Sequence, residues 1–184
     1  MSATSEKWAK AVILVLLGTT LVFAFLNLDR LGVYRAYFRD TSPSVQMRYD
    51  ALSTAMDETA LRRHFAGVPL QCYRDDSTAL GDRLCHVAVD EVDGLPAMML
   101  VLFLRNGRLA HTVVQVPAWF HGRWHAQLLR LHGEPRRAGK VSLLEGPVLR
   151  WTLPGGALEF NQRRSFDPLK WSAVFYSPGG ARNP

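Results

Sequence analysis

Two histidines in the middle of the chain have the spacing of a metal-ligand pair. His121 and His125 are separated by three residues in FHGRWHAQ, so on a helix both imidazoles would share one face, as zinc ligands do. No acidic residue lies between them, and a third ligand would have to come from a distant part of the chain. The interleaved Trp119 and Trp124 favour instead an aromatic-rich helix packed on a sheet or on a partner. We therefore predict no metal and no other cofactor.

The chain has two cysteines, Cys72 and Cys85, which flank a polar, turn-like segment. If that segment folds as a hairpin, the two residues face each other across adjacent strands, where Cβ atoms are about 4.5 to 5.5 Å apart and close to the separation that a disulfide needs. Such a bond would contribute about 3 kcal/mol in an oxidising compartment. The alternative is a pair of unrelated buried thiols in a cytosolic domain. We predict the disulfide.

The common catalytic signatures are missing from the sequence. It has no Gly-x-Ser-x-Gly elbow, no catalytic cysteine motif and no glycine-rich phosphate loop. The carboxylates Asp90, Glu91 and Asp93 lie in a polar, turn-like stretch, where solvated side chains are the usual interpretation. We predict that the protein is not an enzyme, and a hydrolase with unrecognised residues is the least favoured alternative.

Aromatic and arginine side chains are the strongest indication of binding. The chain has 22 Lys and Arg against 16 Asp and Glu, a formal net charge of +6, and Trp, Tyr and Arg dominate the energetics of protein interfaces. Local basic clusters such as Arg163-Arg164 can contact lipid phosphates or an acidic partner, or can simply be solvated. The residues that we predict to contact a partner are Trp119, Arg123, Trp124, Arg136 and Arg137.

A hydrophobic segment near the amino end predicts a membrane anchor. Residues 8–28 carry one charge, Lys10, and about 20 apolar residues in a helix cross the ~30 Å hydrocarbon core. A cleavable signal peptide is the alternative, but the segment ends in Phe23-Ala24-Phe25-Leu26, which lacks the small-x-small pattern of a cleavage site. We predict an uncleaved single-pass helix.

Charge alone does not orient this helix. Lys7 and Lys10 precede it, and Arg30, Arg35 and Arg39 follow it, so basic residues flank both ends. The predicted disulfide favours an oxidising environment for the later part of the chain. We therefore expect residues 1–7 in the cytoplasm, the helix in a bacterial inner membrane and the carboxyl-terminal domain in the periplasm.

Residues 29–42 read as a juxtamembrane helix or linker. Tyr34, Tyr37 and Phe38 fit an interfacial aromatic belt at headgroup depth. A helix that packs on its own domain explains the same residues equally well. Thr41-Ser42-Pro43 should stop the helix by Asp40.

Residues 43–117 read as a first α+β half. Val45, Tyr49, Leu52 and Met56 are spaced as one face of a helix that starts at Pro43. The strands expected after it are 70–74, 84–92, 96–104 and 109–116, with Asn106-Gly107 as a tight hairpin turn between the last two.

Residues 118–184 read as a second half with a similar order. A helix at 118–132 precedes strands at 148–153, 157–160 and 171–176. Both helices end with Leu-Arg, then His, then Gly-x-Pro, which suggests a tandem α-β-β-β repeat, although ordinary helix-stop signals also explain the likeness. The fold class that we predict is α+β, with antiparallel meander sheets and helices on one face.

These features together predict an accessory or structural subunit of a larger envelope complex, anchored by one helix in membrane lipid and acting by protein–protein binding. The alternative is a membrane-tethered sensor that binds a lipid or glycan fragment as a small-molecule ligand. A domain outside the cytosol does not meet nucleic acid, so we expect none as a partner.

Overall fold

The computed structural model describes residues 3–75, 79–138, 146–167 and 169–179. The chain divides into two compact units, Met1–Asp40 and Thr41–Pro184. We call them the helical unit and the sheet domain.

The helical unit has two helices, α1 (Ala3–Leu26) and α2 (Leu28–Arg39). Within α1, Lys7–Leu26 has a mean hydropathy of 2.3 and is long and apolar enough to cross a membrane, a criterion that a signal sequence also meets. The hydroxyls of Thr19 and Thr20 donate to the carbonyl of Leu16 at 2.9 and 2.8 Å. Polar groups satisfied within the helix in this way are compatible with an apolar environment.

The helical unit ends where the sequence predicts. The chain leaves the helix at Asp40, which has extended backbone angles. Among the three residues predicted for a membrane interface, Phe38 is exposed, Tyr37 is partly exposed and Tyr34 is buried, at 5% exposure. Tyr37 and Phe38 are in edge-to-face contact, with ring centroids 5.3 Å apart.

The sheet domain contains two α-helices, α3 (Glu58–His64) and α4 (His121–His132). Its strands are β1 (Ser44–Val45), β2 (Gln71–Arg74), β3 (Arg83–Ala88), β4 (Glu91–Val92), β5 (Leu95–Pro96), β6 (Met99–Arg105), β7 (Arg108–Val116), β8 (Arg136–Ala138), β9 (Val148–Leu153), β10 (Gly156–Asn161) and β11 (Ser172–Pro178).

Eight of these strands form one antiparallel sheet in the order β2-β3-β6-β7-β11-β10-β9-β8. Four of the eight strands (β2, β3, β6 and β7) lie between α3 and α4 in the chain, and the other four follow α4. The last strands of the two sets, β7 and β11, pair at the centre of the sheet. From each edge of the sheet to this centre, the strands therefore come in the same order as in the sequence. A small second sheet, β1-β4-β5, contains the one parallel pair, β1 with β4. The fold is therefore α+β with a mostly antiparallel sheet.

The prediction of a helix that starts at Pro43 is wrong. Val45 lies instead in β1, paired with Val92 of β4. Arg48 has a φ of 45°, a left-handed conformation that a right-handed helix cannot contain. The chain then makes a 3-10 turn at Tyr49–Ala51, and the helix starts only at Glu58, where the Asp57 side chain accepts from the backbone N–H of Ala60 at 2.8 Å.

The predicted tight hairpin is confirmed. Asn106 and Gly107 have φ values of 53° and 72° and join β6 to β7. Positive φ at both central residues is what a two-residue hairpin with the twist of a sheet requires, and Asn-Gly meets it at low cost. The strand at 136–138 was not anticipated from the sequence, because three residues are too few for a periodic pattern.

Both helices of the sheet domain pack into a single core. Trp124 of α4 is 2% exposed, and its indole N–H donates to the carbonyl of Pro96 at 2.8 Å. The Trp151 indole donates to the carbonyl of Gly133, also at 2.8 Å. The helix and strand residues that share this core include Leu61, Phe65, Cys85, Val87, Leu100, Leu102, Val114, Val116, Leu128, Leu149, Leu158, Phe160, Val174 and Tyr176.

Candidate functional site

The start of α4 carries aromatic and basic side chains at the surface. Pro117 ends the preceding strand, and a 3-10 turn at Ala118–Phe120 leads into the helix. Trp119 is 43% exposed. The Arg123 guanidinium carbon lies 5.7 Å from the centroid of the Phe120 ring, within the range of a cation–π interaction.

A second exposed aromatic residue lies on the loop between β10 and β11. Phe166 has a relative exposure of 106%, which means that its whole ring faces solvent. The loop is shaped by its own hydrogen bonds: the Ser165 hydroxyl accepts from the N–H of Asp167 at 3.1 Å, and the Asp167 carboxylate accepts from that of Leu169 at 2.9 Å. Arg163 and Arg164 on the same loop are exposed.

His121 connects the start of α4 with this loop. Its Nδ1 is 2.8 Å from the Ser172 hydroxyl at the start of β11, and its ring stacks on Phe160 with centroids 4.7 Å apart. Burial, together with the charges of His125 and Arg164, lowers the pKa of His121, against a hydrogen bond with the backbone of Gln162. A neutral, hydrogen-bonded imidazole thus holds the two surface segments side by side.

We define the aromatic-arginine surface as Trp119, Phe120, Arg123, Arg164 and Phe166. It unites two of the five predicted partner-contact residues, Trp119 and Arg123, with residues that were not selected from the sequence. Phe166 was missed because nothing in the sequence distinguishes a loop phenylalanine that faces solvent from one that packs. The available signal was its position in RRSFDPLK, a strongly polar context.

The other predicted contact residues lie elsewhere. Trp124 is buried and fills the core, so it has no surface to offer and we do not retain it. Arg136 and Arg137 are exposed on β8, beyond the far end of α4. Neither arginine belongs to the two segments that His121 joins, so they are not part of the aromatic-arginine surface.

The two histidines with metal-ligand spacing make a stacked pair. The His121 and His125 ring centroids are 6.5 Å apart with an interplanar angle of 19°, and His121 has Ser172 at its Nδ1. Within the described ranges, one group of three possible ligand residues has its donor atoms close together, Glu58 with Cys72 and Cys85. Its two sulfurs are bonded to each other and so do not offer thiolates.

Cys72 and Cys85 form the predicted pair. They are register partners in β2 and β3, and their sulfur atoms are 2.01 Å apart, a disulfide distance. Beside the bond, Glu58 pairs with Arg62 at 2.9 Å and with Arg83 at 2.7 Å. Burial would raise the pKa of Glu58, but hydrogen bonds and charge from the two arginines lower it overall.

Two serine–histidine hydrogen bonds superficially resemble catalytic pairs. They join His121 to Ser172 at 2.8 Å and His111 to Ser177 at 3.0 Å. Ser172 and Ser177 are 3% and 5% exposed, so a substrate cannot reach either hydroxyl in this conformation, whereas a nucleophile must approach the reacting carbon closely. The first bond joins α4 to β11, and the second joins β7 to β11.

Comparison with known proteins adds no relative: no protein family, curated protein or solved structure matches this chain.

Proposed function

We propose that the protein is a membrane-anchored accessory subunit that binds another protein through the aromatic-arginine surface. The observation that carries the proposal is the full exposure of Phe166 beside exposed arginines on a hydrogen-bonded loop. A large apolar ring in water gains about 1.5 to 3 kcal/mol when a partner buries it. Arginine and aromatic side chains are also the usual energetic centres of interfaces.

The expected partner surface is acidic around an apolar pocket. Arg123 and Arg164 are exposed on the two segments that His121 joins, so they flank the apolar rings with positive charge. Charge complementarity steers association and selects among partners. A partner with carboxylates around a cavity that accepts one phenyl ring would satisfy both parts of the surface.

The anchor of this subunit is α1. Its Lys7–Leu26 segment has the length and hydropathy of a spanning helix, and the end of that segment, Phe23-Ala24-Phe25-Leu26, lacks a cleavage pattern. We place the sheet domain in the periplasm because its disulfide persists in an oxidising compartment. Intact-mass measurement of the membrane-extracted protein tests the anchor, since a mature chain that starts after residue 27 would contradict it.

We also propose that the sheet domain arose by duplication of a helix followed by four strands. The symmetrical strand order and the shared Leu-Arg, His and Gly-x-Pro residues at the ends of the two helices support this proposal. The two repeats, α3 with its four strands and α4 with its four strands, should superpose by rotation about an axis between β7 and β11. Repeats whose helices pack differently against their strands would contradict duplication.

Site-specific photo-crosslinking in membranes tests the binding surface. A benzophenone amino acid at position 166 should give one discrete adduct with a membrane-complex protein. Arg164→Glu should weaken that adduct at least about tenfold, because a reversed charge repels an acidic partner. The matched control is the same photo-crosslinker at Tyr73, an aromatic residue of β2 that is 49% exposed. No adduct from position 166, or the same adduct from position 73, would refute the proposal.

A further inference from the structure

A polar cavity lies at the opposite end of α4 from the aromatic-arginine surface. Its volume is about 300 Å³, the lower end of the range for small-molecule sites. It lies between the segment that follows α4 and the outer strands β8 and β9. The residues that line it are His132, Glu134, Arg136, Arg150, Trp151 and Thr152.

The strand register brings two arginines together at this cavity. Arg136 of β8 is the register partner of Arg150 in β9, so the two side chains project from the same face of neighbouring strands. Like charges directly opposite each other destabilise a sheet. Glu159, on the other side of Arg150, offsets part of that repulsion. An oxyanion between the two guanidinium groups would offset the rest and accept the paired N–H bonds that arginine offers to carboxylate or phosphate.

A buried carboxylate positions one of these arginines. Glu159, the register partner of Arg150 in β10, has a side chain that is 8% exposed and lies 3.1 Å from the Arg150 Nε. The Nε–H and the carboxylate are not aligned for a hydrogen bond, so Glu159 restrains the guanidinium through the attraction of opposite charges. The cavity therefore has a prearranged cation, which reduces the entropy lost when a ligand binds.

The remaining lining residues suit a hydroxylated molecule with a single negative charge. The Thr152 hydroxyl can donate and accept hydrogen bonds, and the Glu134 carboxylate can accept them from hydroxyl groups. Both residues are exposed, so the cavity opens at the surface. Because Glu134 is itself an anion, it disfavours a ligand with a second negative group on that side.

His132 adds a group that can both donate and accept. Burial lowers the pKa of His132, and the nearby Asp93 only partly opposes this effect. The neutral imidazole offers one N–H and one acceptor nitrogen. Trp151 directly follows Arg150 in β9, so its ring projects from the other face of the sheet. There its indole N–H donates to the carbonyl of Gly133, which holds the segment that borders the cavity.

We infer that this cavity binds a sugar-sized, hydroxylated molecule with one carboxylate or phosphate group, held by Arg136 and Arg150. Such a group occurs on free acidic sugars and on the ends of acidic glycans, and the two sources share the same recognition chemistry. The site lies apart from the aromatic-arginine surface and does not depend on the proposed partner protein.

Calorimetric titration of the full-length protein tests the inference. The protein is kept in a polyoxyethylene detergent, since detergents with sugar headgroups would compete. The probes are glucuronate, glucose 6-phosphate, glucose and inorganic phosphate, followed by an oligosaccharide with a terminal glucuronate. One of the two acidic sugars should bind with a Kd of about 1 mM or below, and glucose and inorganic phosphate should bind at least about tenfold more weakly. Tighter binding of the oligosaccharide would identify a glycan end as the source, and weaker binding a free sugar.

The matched variants are Arg136→Gln and Arg137→Gln. The two arginines are neighbours on the edge strand, but only Arg136 lines the cavity, so Arg136→Gln should raise the Kd at least about tenfold, whereas Arg137→Gln should change it less than about twofold. Arg136→Lys keeps the charge and should also weaken binding, because it lacks the paired donors. The double change Arg150→Gln with Glu159→Gln removes the second guanidinium without leaving a buried carboxylate unpaired and should weaken binding equally.

Three results would overturn the inference: no binding of either acidic sugar at about 10 mM, equal affinity for inorganic phosphate and the acidic sugar, or equal losses in the Arg136 and Arg137 variants. Crosslinking from position 166 should be unaffected by Arg136→Gln. A failure of the ligand site is thereby distinguishable from a failure of the proposed docking surface.

Discussion

In the first half of the sheet domain, residues 43–117, a disulfide and an ion-pair network join the helix to the edge strands, whereas in residues 118–184 two buried tryptophans tie the helix and an outer strand to their neighbours. Arg62 links these features in the first half, because it pairs with Glu58 and donates to the Cys72 sulfur at 3.2 Å. In the second half, Trp124 and Trp151 each bury an indole ring and satisfy its N–H with a backbone carbonyl.

The two halves also differ in the aromatic side chains that they expose. The first half exposes one large aromatic residue, Tyr73, among the described residues of the domain, and the second exposes Trp119 and Phe166. The cavity lined by Arg136 and Arg150 also belongs to the second half. Under the two proposals above, the cross-linked half is a scaffold, and the other half carries both the docking surface and the ligand site.

The largest expected effect comes from the core of the second half. Trp124→Ala should lower the free energy of unfolding by about 3 to 5 kcal/mol, because it leaves a cavity and removes the bond to Pro96. Chemical unfolding of the full-length protein in detergent, followed by circular dichroism, measures the change. Trp119→Ala, five residues earlier, removes a side chain that is 43% exposed and should lower stability by at most about 1.5 kcal/mol. Similar losses for both variants would contradict the assigned burial.

The next largest effect concerns the scaffold half. Replacement of both Cys72 and Cys85 by Ala should lower the free energy of unfolding by about 3 kcal/mol, since the unfolded chain regains the freedom of the closed loop. The same unfolding measurement applies, and wild-type protein under reducing conditions is the control. A loss below about 1 kcal/mol would mean that the covalent bond is not what distinguishes the first half.

Much of the framework follows from local patterns in the sequence. Asn106-Gly107 predicts its hairpin because two consecutive positive φ angles are needed there. The disulfide is predicted because Cys72 and Cys85 flank a short polar segment that can turn back on itself. The error at residues 43–56 arose because Val45, Tyr49, Leu52 and Met56 have helical spacing, while β1 is set by pairing with β4, which lies more than 40 residues away in the chain. Local periodicity carries no information about such a partner.

A smaller effect should follow from the histidine that joins the two surface segments. His121→Phe keeps a ring against Phe160 but leaves the Ser172 hydroxyl without its partner, so stability at pH 7.5 should fall by about 1 to 3 kcal/mol. Because the pKa of His121 is lower in the folded state than its ordinary value of 6.5, the folded state binds fewer protons.

This stabilisation is present above pH 6.5 and decreases as the pH falls from there toward the folded pKa. Between pH 7.5 and 5.5, the free energy of unfolding should therefore fall more steeply with decreasing pH for the wild type than for His121→Phe. His111 and His132, whose pKa values burial also lowers, contribute the same slope to both proteins and leave the difference to His121. Identical slopes would show that the imidazole is not held neutral.

The smallest expected change in stability comes from the aromatic-arginine surface. Phe166→Ala should alter the free energy of unfolding by less than about 0.5 kcal/mol, because the exposed ring packs on nothing. The same variant should strongly reduce photo-crosslinking from a benzophenone placed at position 119. Unchanged crosslinking would remove Phe166 from the binding surface, and a large loss of stability would show that its ring is packed.

The sequence by itself determined the apolar helix, the cysteine pair, the tight hairpin and the positions of most strands along the chain, because each depends on interactions between residues close together in the chain. Only the tertiary structure decided that Trp124 is buried while Trp119 is exposed, that Arg136 faces Arg150, and that His121 joins α4 to a distant loop. Those outcomes depend on which strands become neighbours in the sheet. Strand order is settled by the packing of the whole core, and short-range patterns do not encode it.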